Sequence, residues 1–286
     1  MRTLVCILGL CILLVGFVKI VQAEENARAH WIWYQSVSGA VNPIGLDLSS
    51  RISYQASLFE GKQGILWEST LWEVGLENSL TPAYDTCSFL FHIVPIAFFD
   101  LRIRGGVRYA YDALGFGVAP LAGYDSPFDA DTRKSLDRRD GWGFRYQVSP
   151  TLQGKWGNVV FATTTHWVFF DMRGALDRGE EYYYEPSANV VLKGRDSYWG
   201  NDSVIAYRWH REEILAGLLH SITYVPGSGY VTERIALLGN LSLDLTRRIR
   251  MSVTALGGVY PQDRYLSCER GKVYGALQVG FRGALP

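Results

Sequence analysis

Long apolar runs are almost missing from this sequence. The one sustained run, Leu4 to Val18, is shorter than the roughly 20 residues a helix needs to cross a bilayer, which excludes a bundle of membrane-spanning helices. An excess of either charge is missing too. With 28 Lys and Arg against 28 Asp and Glu the formal net charge is +0, and no long basic run is present, so binding driven by nucleic-acid phosphates is excluded. Cysteine is scarce at 4 residues. Cys6 and Cys11 fall in the N-terminal apolar segment, leaving Cys87 and Cys268, and one possible disulfide cannot define a scaffold. The 5 histidines and the acidic residues stand at no ligand spacing, so neither a metal site nor a cofactor is expected. A repeat of fixed length, the mark of a propeller or solenoid, is also absent.

What is present is alternation. In 141–156 the side chains of Trp142, Phe144, Tyr146, Val148, Pro150, Leu152 and Trp156 share one face, while Arg145, Gln147, Ser149, Thr151, Gln153 and Lys155 share the other. That is a strand's period of two. The stretch is long for a soluble sheet, whose strands usually stop near five or six residues. At ~3.3 Å per residue and a tilt near 40°, Phe144 to Trp156 covers roughly 30 Å along an axis, about one hydrocarbon thickness. The pattern recurs in Ile44–Leu58, where Leu46, Leu48, Ile52 and Tyr54 oppose Asp47, Ser49, Arg51 and Ser53. It recurs in 101–112, where Leu101, Ile103, Val107 and Tyr109 oppose Arg102, Arg104, Arg108 and Asp112. Further strands are expected at 65–77, 84–95, 159–170, 182–193, 197–209, 214–225, 230–245, 249–259 and 273–285. Residues 114–122 read as a kinked strand or part of a loop. Polar loops are expected at 123–140 and 171–181, and a tight turn at Gly157-Asn158.

Residues 1–23 carry the marks of an export signal: Arg2 at the positive end, a short apolar core, and Val21-Gln22-Ala23 before a cleavage point after Ala23. Residues 24–43, with His30, Trp31, Trp33 and Tyr34 ahead of Asn42-Pro43, read as a periplasmic lead segment. The barrel domain would then be 44–286.

Signal, long alternating strands, interfacial aromatics and a strand running to the C-terminus together resemble bacterial outer-membrane β-barrel proteins in architecture, without pointing to one family within them. The resemblance implies a closed antiparallel transmembrane β-barrel of about twelve strands, with ten to fourteen the working range. It also implies a place in the outer membrane, lipid on the apolar faces, and insertion by the barrel-assembly machinery. The chain ends Phe281-Arg282-Gly283-Ala284-Leu285-Pro286 rather than on an aromatic residue, with Phe281 in the outward phase. A secreted soluble β-sandwich or barrel is the competing fold.

The polar faces carry the functional signal. Arg51, Arg102, Arg104, Arg108, Arg145, Lys155, Arg208, Arg234, Arg250 and Arg282 all fall on them, against fewer acids such as Asp47, Asp112, Asp202 and Asp244. A lumen lined in this way favours small anionic solutes, because rings of charge select ions by sign. The alternative is that these side chains pair across a narrow interior and plug it. A hydrolytic barrel has weaker grounds. His220 and Ser221 are adjacent and point to opposite faces of a strand, and His210 beside Arg211-Glu212-Glu213 only approximates an acid–histidine arrangement. Asp125, Asp129 and Asp131 match no calcium-loop spacing. Cys87 and Cys268 stand as a possible disulfide.

Overall fold

The computed structural model describes residues 29–41, 45–59, 69–112, 117–126, 136–209, 213–246, 248–262 and 273–285. Fifteen strands are formed among them: β1 (Ala29–Val41), β2 (Gly45–Ser57), β3 (Leu71–Leu80), β4 (Tyr84–Ile96), β5 (Phe99–Ala110), β6 (Pro120–Leu121), β7 (Gly141–Trp156), β8 (Val159–Asp171), β9 (Tyr182–Glu185), β10 (Val190–Lys193), β11 (Arg195–Trp209), β12 (Ile214–Val225), β13 (Tyr230–Thr246), β14 (Ile249–Gln262) and β15 (Val273–Ala284). Twelve of them close into one antiparallel barrel, and β6, β9 and β10 form a separate three-stranded sheet. Closure leaves the barrel no unpaired edge, so every strand finds two partners for its backbone groups.

Residues 24–43, read from the sequence as a lead segment, are in their described part a barrel strand. β1 pairs with β2 on one side and with β15 on the other, Tyr34 facing both Arg51 and Arg282 across the two ladders. Without β1 both β2 and β15 would present open edges. The expected barrel strand at 182–193 is corrected the other way: it divides into β9 and β10, four residues each, paired with each other across Val190 and Glu185. The two differences offset, so the total of twelve holds. Among the described residues between 84 and 124 the barrel holds β4 and β5, and Pro120–Leu121 belongs to the small sheet. The leader 1–23, His210 to Glu212, Asp129, Asp131 and Cys268 lie outside the described residues. Cys87 is a free thiol on the exposed face of β4.

The register places both ends of the barrel chain on one side, since Ile32 pairs with Ala284. We call this the terminal side. It receives the short links after β4, β7 and β13, including the turn at Gly157-Asn158, where Gly157 takes φ 59°, a conformation that costs glycine little. The opposite, loop side receives the two long connections, 111–140 and 172–194, and these supply the small sheet.

Alternation sets the two faces of the wall. Leu76, Phe89, Ile103, Val107, Ile205, Leu218, Leu237 and Leu277 are exposed large apolar residues on the outer face. Aromatic side chains collect near both rims of that face. Trp31 contacts Tyr54 with ring centroids 5.6 Å apart, and Tyr207 contacts Trp209 at 4.6 Å, on the terminal side. Trp142 and Phe144, 5.5 Å apart, stand on the loop side.

Glycine allows neighbouring strands to approach. A Cβ added at Gly217 would lie 2.1 Å from the Ile205 carbonyl oxygen and 2.5 Å from Ala206 Cα, both backbone. Backbone in a closed barrel cannot shift at one point alone. Gly217→Ala is therefore expected to lower the melting temperature in detergent or lipid, by an amount equivalent to about 1–3 kcal/mol. Gly239→Ala, where nothing lies within 4 Å of the added atom, should leave melting nearly unchanged.

Candidate functional site

The interior of the barrel divides into a charged half and a capped half. On β3, Glu73 and Glu77 alternate with Trp72, Val74 and Leu76 and so point inward. Opposite them His92 on β4 and Asp100 on β5 complete a chain of contacts. His92 Nδ1 lies 3.0 Å from Glu73 Oε2 and its Nε2 2.9 Å from Asp100 Oδ2, while Ser53 Oγ donates to Glu73 Oε1 at 2.6 Å. Arg51 approaches Glu73 at 3.5 Å, Arg102 approaches Asp100 at 3.2 Å, and Arg104 approaches Glu77 at 3.2 Å. These pairs ring the terminal half of one wall. On the far wall Arg250 and Asp244 pair at 2.7 Å at the rim, both more than half exposed.

The structure places all ten basic residues singled out in the sequence on positions that alternate with the exposed apolar ones. Their circumstances differ. Arg51, Arg102, Arg104, Arg108 and Arg250 are engaged by carboxylates. Sequence reading passed over four of these acids, Glu73, Glu77, Asp100 and Glu185. Period two along β3 was the available signal for the first two. Arg145 instead donates to Gln147 Oε1 at 2.5 Å, Arg282 to Gln55 Oε1 at 3.1 Å, and Arg234 stands 5.3 Å from the centre of the Tyr274 ring. Arg51, Arg102 and Arg145 are within electrostatic reach of Arg104. Lys155 is exposed near the terminal rim, and Arg208 faces inward on β11.

Arg108 has a different setting from the rest. Its guanidinium bonds Glu185 Oε1 of β9 at 2.7 Å with side-chain exposures of 2% and 1%, and it lies 3.6 Å from the centre of the Tyr84 ring. It joins the barrel wall to the small sheet and is withdrawn from any solute. Around this pair Val168 and Phe170 of β8, Val190, Val191 and Leu192 of β10, and Met172, Val225 and Tyr183 form a buried apolar cluster. The small sheet is thus a cap, seated by its own apolar side against the loop-side interior. Tyr184 N donates to Ala119 O at 3.1 Å, and Arg139 ties Asp177 to Glu180, so the two long connections hold each other. Burial pushes the Tyr183 phenol in the cap well above its usual range and keeps it neutral.

A second polar constellation crosses β7, β8, β11 and β12. Ser149 Oγ lies 3.0 Å from His166 Nδ1, His166 Nε2 lies 3.0 Å from Asp202 Oδ2, and Ser221 Oγ donates to Asp202 Oδ1 at 2.5 Å. Nucleophile, base and orienting carboxylate have this connectivity in hydrolases. Here Ser149 is only 3% exposed and its hydroxyl also accepts from Gln147 Nε2 at 2.8 Å. The arrangement ties four neighbouring barrel strands together as a cross-strand stitch. His220 and Ser221 do point to opposite faces: Ser221 joins Asp202 inside, while His220 Nε2 meets Glu233 Oε1 at 2.7 Å outside. Among the described residues no group of His, Cys, Asp and Glu could hold a metal ion.

No protein-family model matches this chain, and no curated protein matches it. Solved structures of β-barrels do. The chain is similar to the NanC porin at 9% identity, covering 88% of this chain and 98% of that one with a TM-score of 0.44. It is similar to the β domain of the Bordetella autotransporter BrkA at 10% identity, covering 90% and 98% with a TM-score of 0.44. It is also similar to an anion-selective porin from Comamonas acidovorans at 9% identity, covering 90% and 99% with a TM-score of 0.36.

Proposed function

We propose that this chain is an outer-membrane barrel that passes small solutes, anions in preference, through a narrow lumen whose loop-side mouth is restricted by the cap. Two features support the membrane. A closed barrel is the one β architecture that satisfies its backbone in lipid, and the outer wall here has an apolar band with aromatic residues near both rims. The anion preference rests on one observation: the groups that Arg145, Arg234 and Arg282 bond or stack on are neutral, while Asp202 lies within electrostatic reach of Arg234 and Glu73 of Arg282 without direct contact. Guanidinium groups left with net field along a low-dielectric passage raise the local concentration of anions.

Planar-bilayer recording under a salt gradient tests this reading. Small unitary conductance with a reversal potential on the anion side is expected. Joint replacement of Arg145→Gln, Arg234→Gln and Arg282→Gln should move the reversal potential several-fold in permeability ratio toward zero selectivity while single-channel events persist. A cation preference in the parent protein would reject the anion assignment.

The second reading is a permanently plugged barrel that works through its loop-side surface. The fully buried Arg108–Glu185 pair and the apolar cluster under the cap favour it. Under that reading conductance stays absent even when the cap is released.

A further inference from the structure

Polar residues interrupt the apolar outer wall across four neighbouring strands, β8, β11, β12 and β13, and a smaller set, Gln35, Ser50, Asn78 and Asp85, does so on the opposite wall. On β8 Thr163 and Thr165, on β11 Asn201 and Ser203, on β12 His220 and on β13 Glu233 occupy outward positions, in phase with the exposed Phe161, Trp167, Ile205, Leu218 and Ile235. The registers make these residues neighbours: Thr163 faces Ser203, Thr165 faces Asn201, and Ser203 faces His220. They are bonded in two groups, Thr163, Thr165, Asn201 and Ser203 in one and His220 with Glu233 in the other. Asn201 Nδ2 donates to Thr163 Oγ1 at 3.0 Å, Ser203 Oγ donates to Asn201 Oδ1 at 2.9 Å and lies 3.0 Å from Thr163 Oγ1, and His220 Nε2 meets Glu233 Oε1 at 2.7 Å. Four adjacent strands at ~4.8 Å spacing make a polar belt about 15 Å wide. Ser203 and His220 sit near mid-length of their strands, at the level of the acyl chains on the membrane reading above, on which this inference rests.

We infer that the belt is the contact through which two copies of this chain associate side by side within the membrane. Hydrocarbon offers no hydrogen bonds, so an amide, hydroxyls and a hydrogen-bonded imidazole–carboxyl pair at this depth are favoured where another protein surface covers them. The chemistry fits a second copy better than a lipid. Lipid polar groups lie at the rims, away from the belt. The belt is self-complementary: Asn, Ser and Thr each donate and accept, and His220 beside Glu233 lets a two-fold axis set each copy's imidazole against the other's carboxylate. Such an isologous contact needs one patch that matches itself. The axis passes near Ser203, the centre of the belt, with Trp167 and Trp199, ring centroids 6.2 Å apart, flanking it on the loop side.

The test uses the full chain in lipid nanodiscs and in mild detergent, with stoichiometry measured by native mass spectrometry. A dimer is expected for the parent protein. The variant Asn201→Leu, Ser203→Ala, His220→Leu, Glu233→Leu is expected to be monomeric, with strand content by circular dichroism unchanged to show that the barrel still forms. In a background of Cys87→Ser and Cys268→Ser, Ser203→Cys should form an intermolecular disulfide on mild oxidation, while Leu277→Cys on the far side of the barrel should not. A monomeric parent protein that requires detergent overturns the inference alone. So does a dimer that persists in the fourfold variant, or a lipid adduct on a monomer lost in that variant. A protein soluble without detergent overturns it together with the membrane reading.

Discussion

Replacing Glu185 by alanine is expected to undock the cap while leaving the barrel closed. The Arg108 guanidinium sits at 2% exposure with Glu185 as its carboxylate partner at 2.7 Å. Removing one member of a buried pair strands the other charge and costs about 3–5 kcal/mol. Glu185 also accepts from Ser187 N at 2.9 Å and Ser187 Oγ at 2.5 Å, shaping the β9–β10 turn. The loss is therefore concentrated in the cap, whereas the twelve barrel strands keep every ladder. Two readouts follow. Trypsin should cleave Glu185→Ala at Arg178 or Lys193 at least tenfold faster than the parent, a conservative fraction of what several kcal/mol allows. Unitary conductance should rise, because the cap no longer fills the loop-side mouth. The double variant Arg108→Leu, Glu185→Leu should restore protease resistance, since apolar replacement of a buried pair is often neutral or better. Rapid cleavage without any rise in conductance would favour the permanently plugged barrel.

The second large effect concerns the outer wall. Leu237 is 69% exposed and pairs with Leu218 and Gly257 near the middle of their strands. Leu237→Arg is expected to cost about 2–4 kcal/mol of folding free energy in lipid, the figure for arginine near the bilayer midplane on a barrel's outer face. Ser252 faces inward on β14, paired with Ser242 and Gly280, and Ser252→Arg should cost well under half as much. Urea titration in large unilamellar vesicles measures both. In a water-soluble barrel with the same strands the order would reverse, because Leu237→Arg would then place a charge in solvent.

The strands were legible where alternation was strict. Leu46 to Tyr54 on β2, Leu101 to Tyr109 on β5 and all of β7 fall in the structure as the period of two required, because each residue's face is a local property. β1 was hidden by Gln35, an exposed polar residue on the outward face, and by the aromatic cluster around Trp31, which reads equally well as an interfacial lead. Tyr182 to Lys193, which holds β9 and β10, reads as one barrel strand because it has strand composition, and composition does not say which sheet a strand joins. Pairing is non-local: nothing in the spacing of Arg108 and Glu185 marks them as partners, as 77 residues separate them. Phase alone groups the arginines on the polar face, but the pairing of Arg51, Arg102 and Arg104 with Glu73, Asp100 and Glu77 depends on registers between strands. The outward belt escaped notice for the same reason, since Thr163, Asn201, His220 and Glu233 are unremarkable one at a time.

The most direct test of the account follows orientation along one strand. Single cysteines from Glu233 to Leu243 on β13, in a background without native cysteines, would carry nitroxide labels in lipid vesicles. Their collision rates with oxygen and with a water-soluble nickel chelate would then be measured. The account predicts a period of two, with Ile235, Leu237, Leu241 and Leu243 reached by oxygen and shielded from nickel, and Arg234, Leu238, Asn240 and Ser242 in the opposite phase. Uniform access by nickel, or the reverse phase, would contradict it.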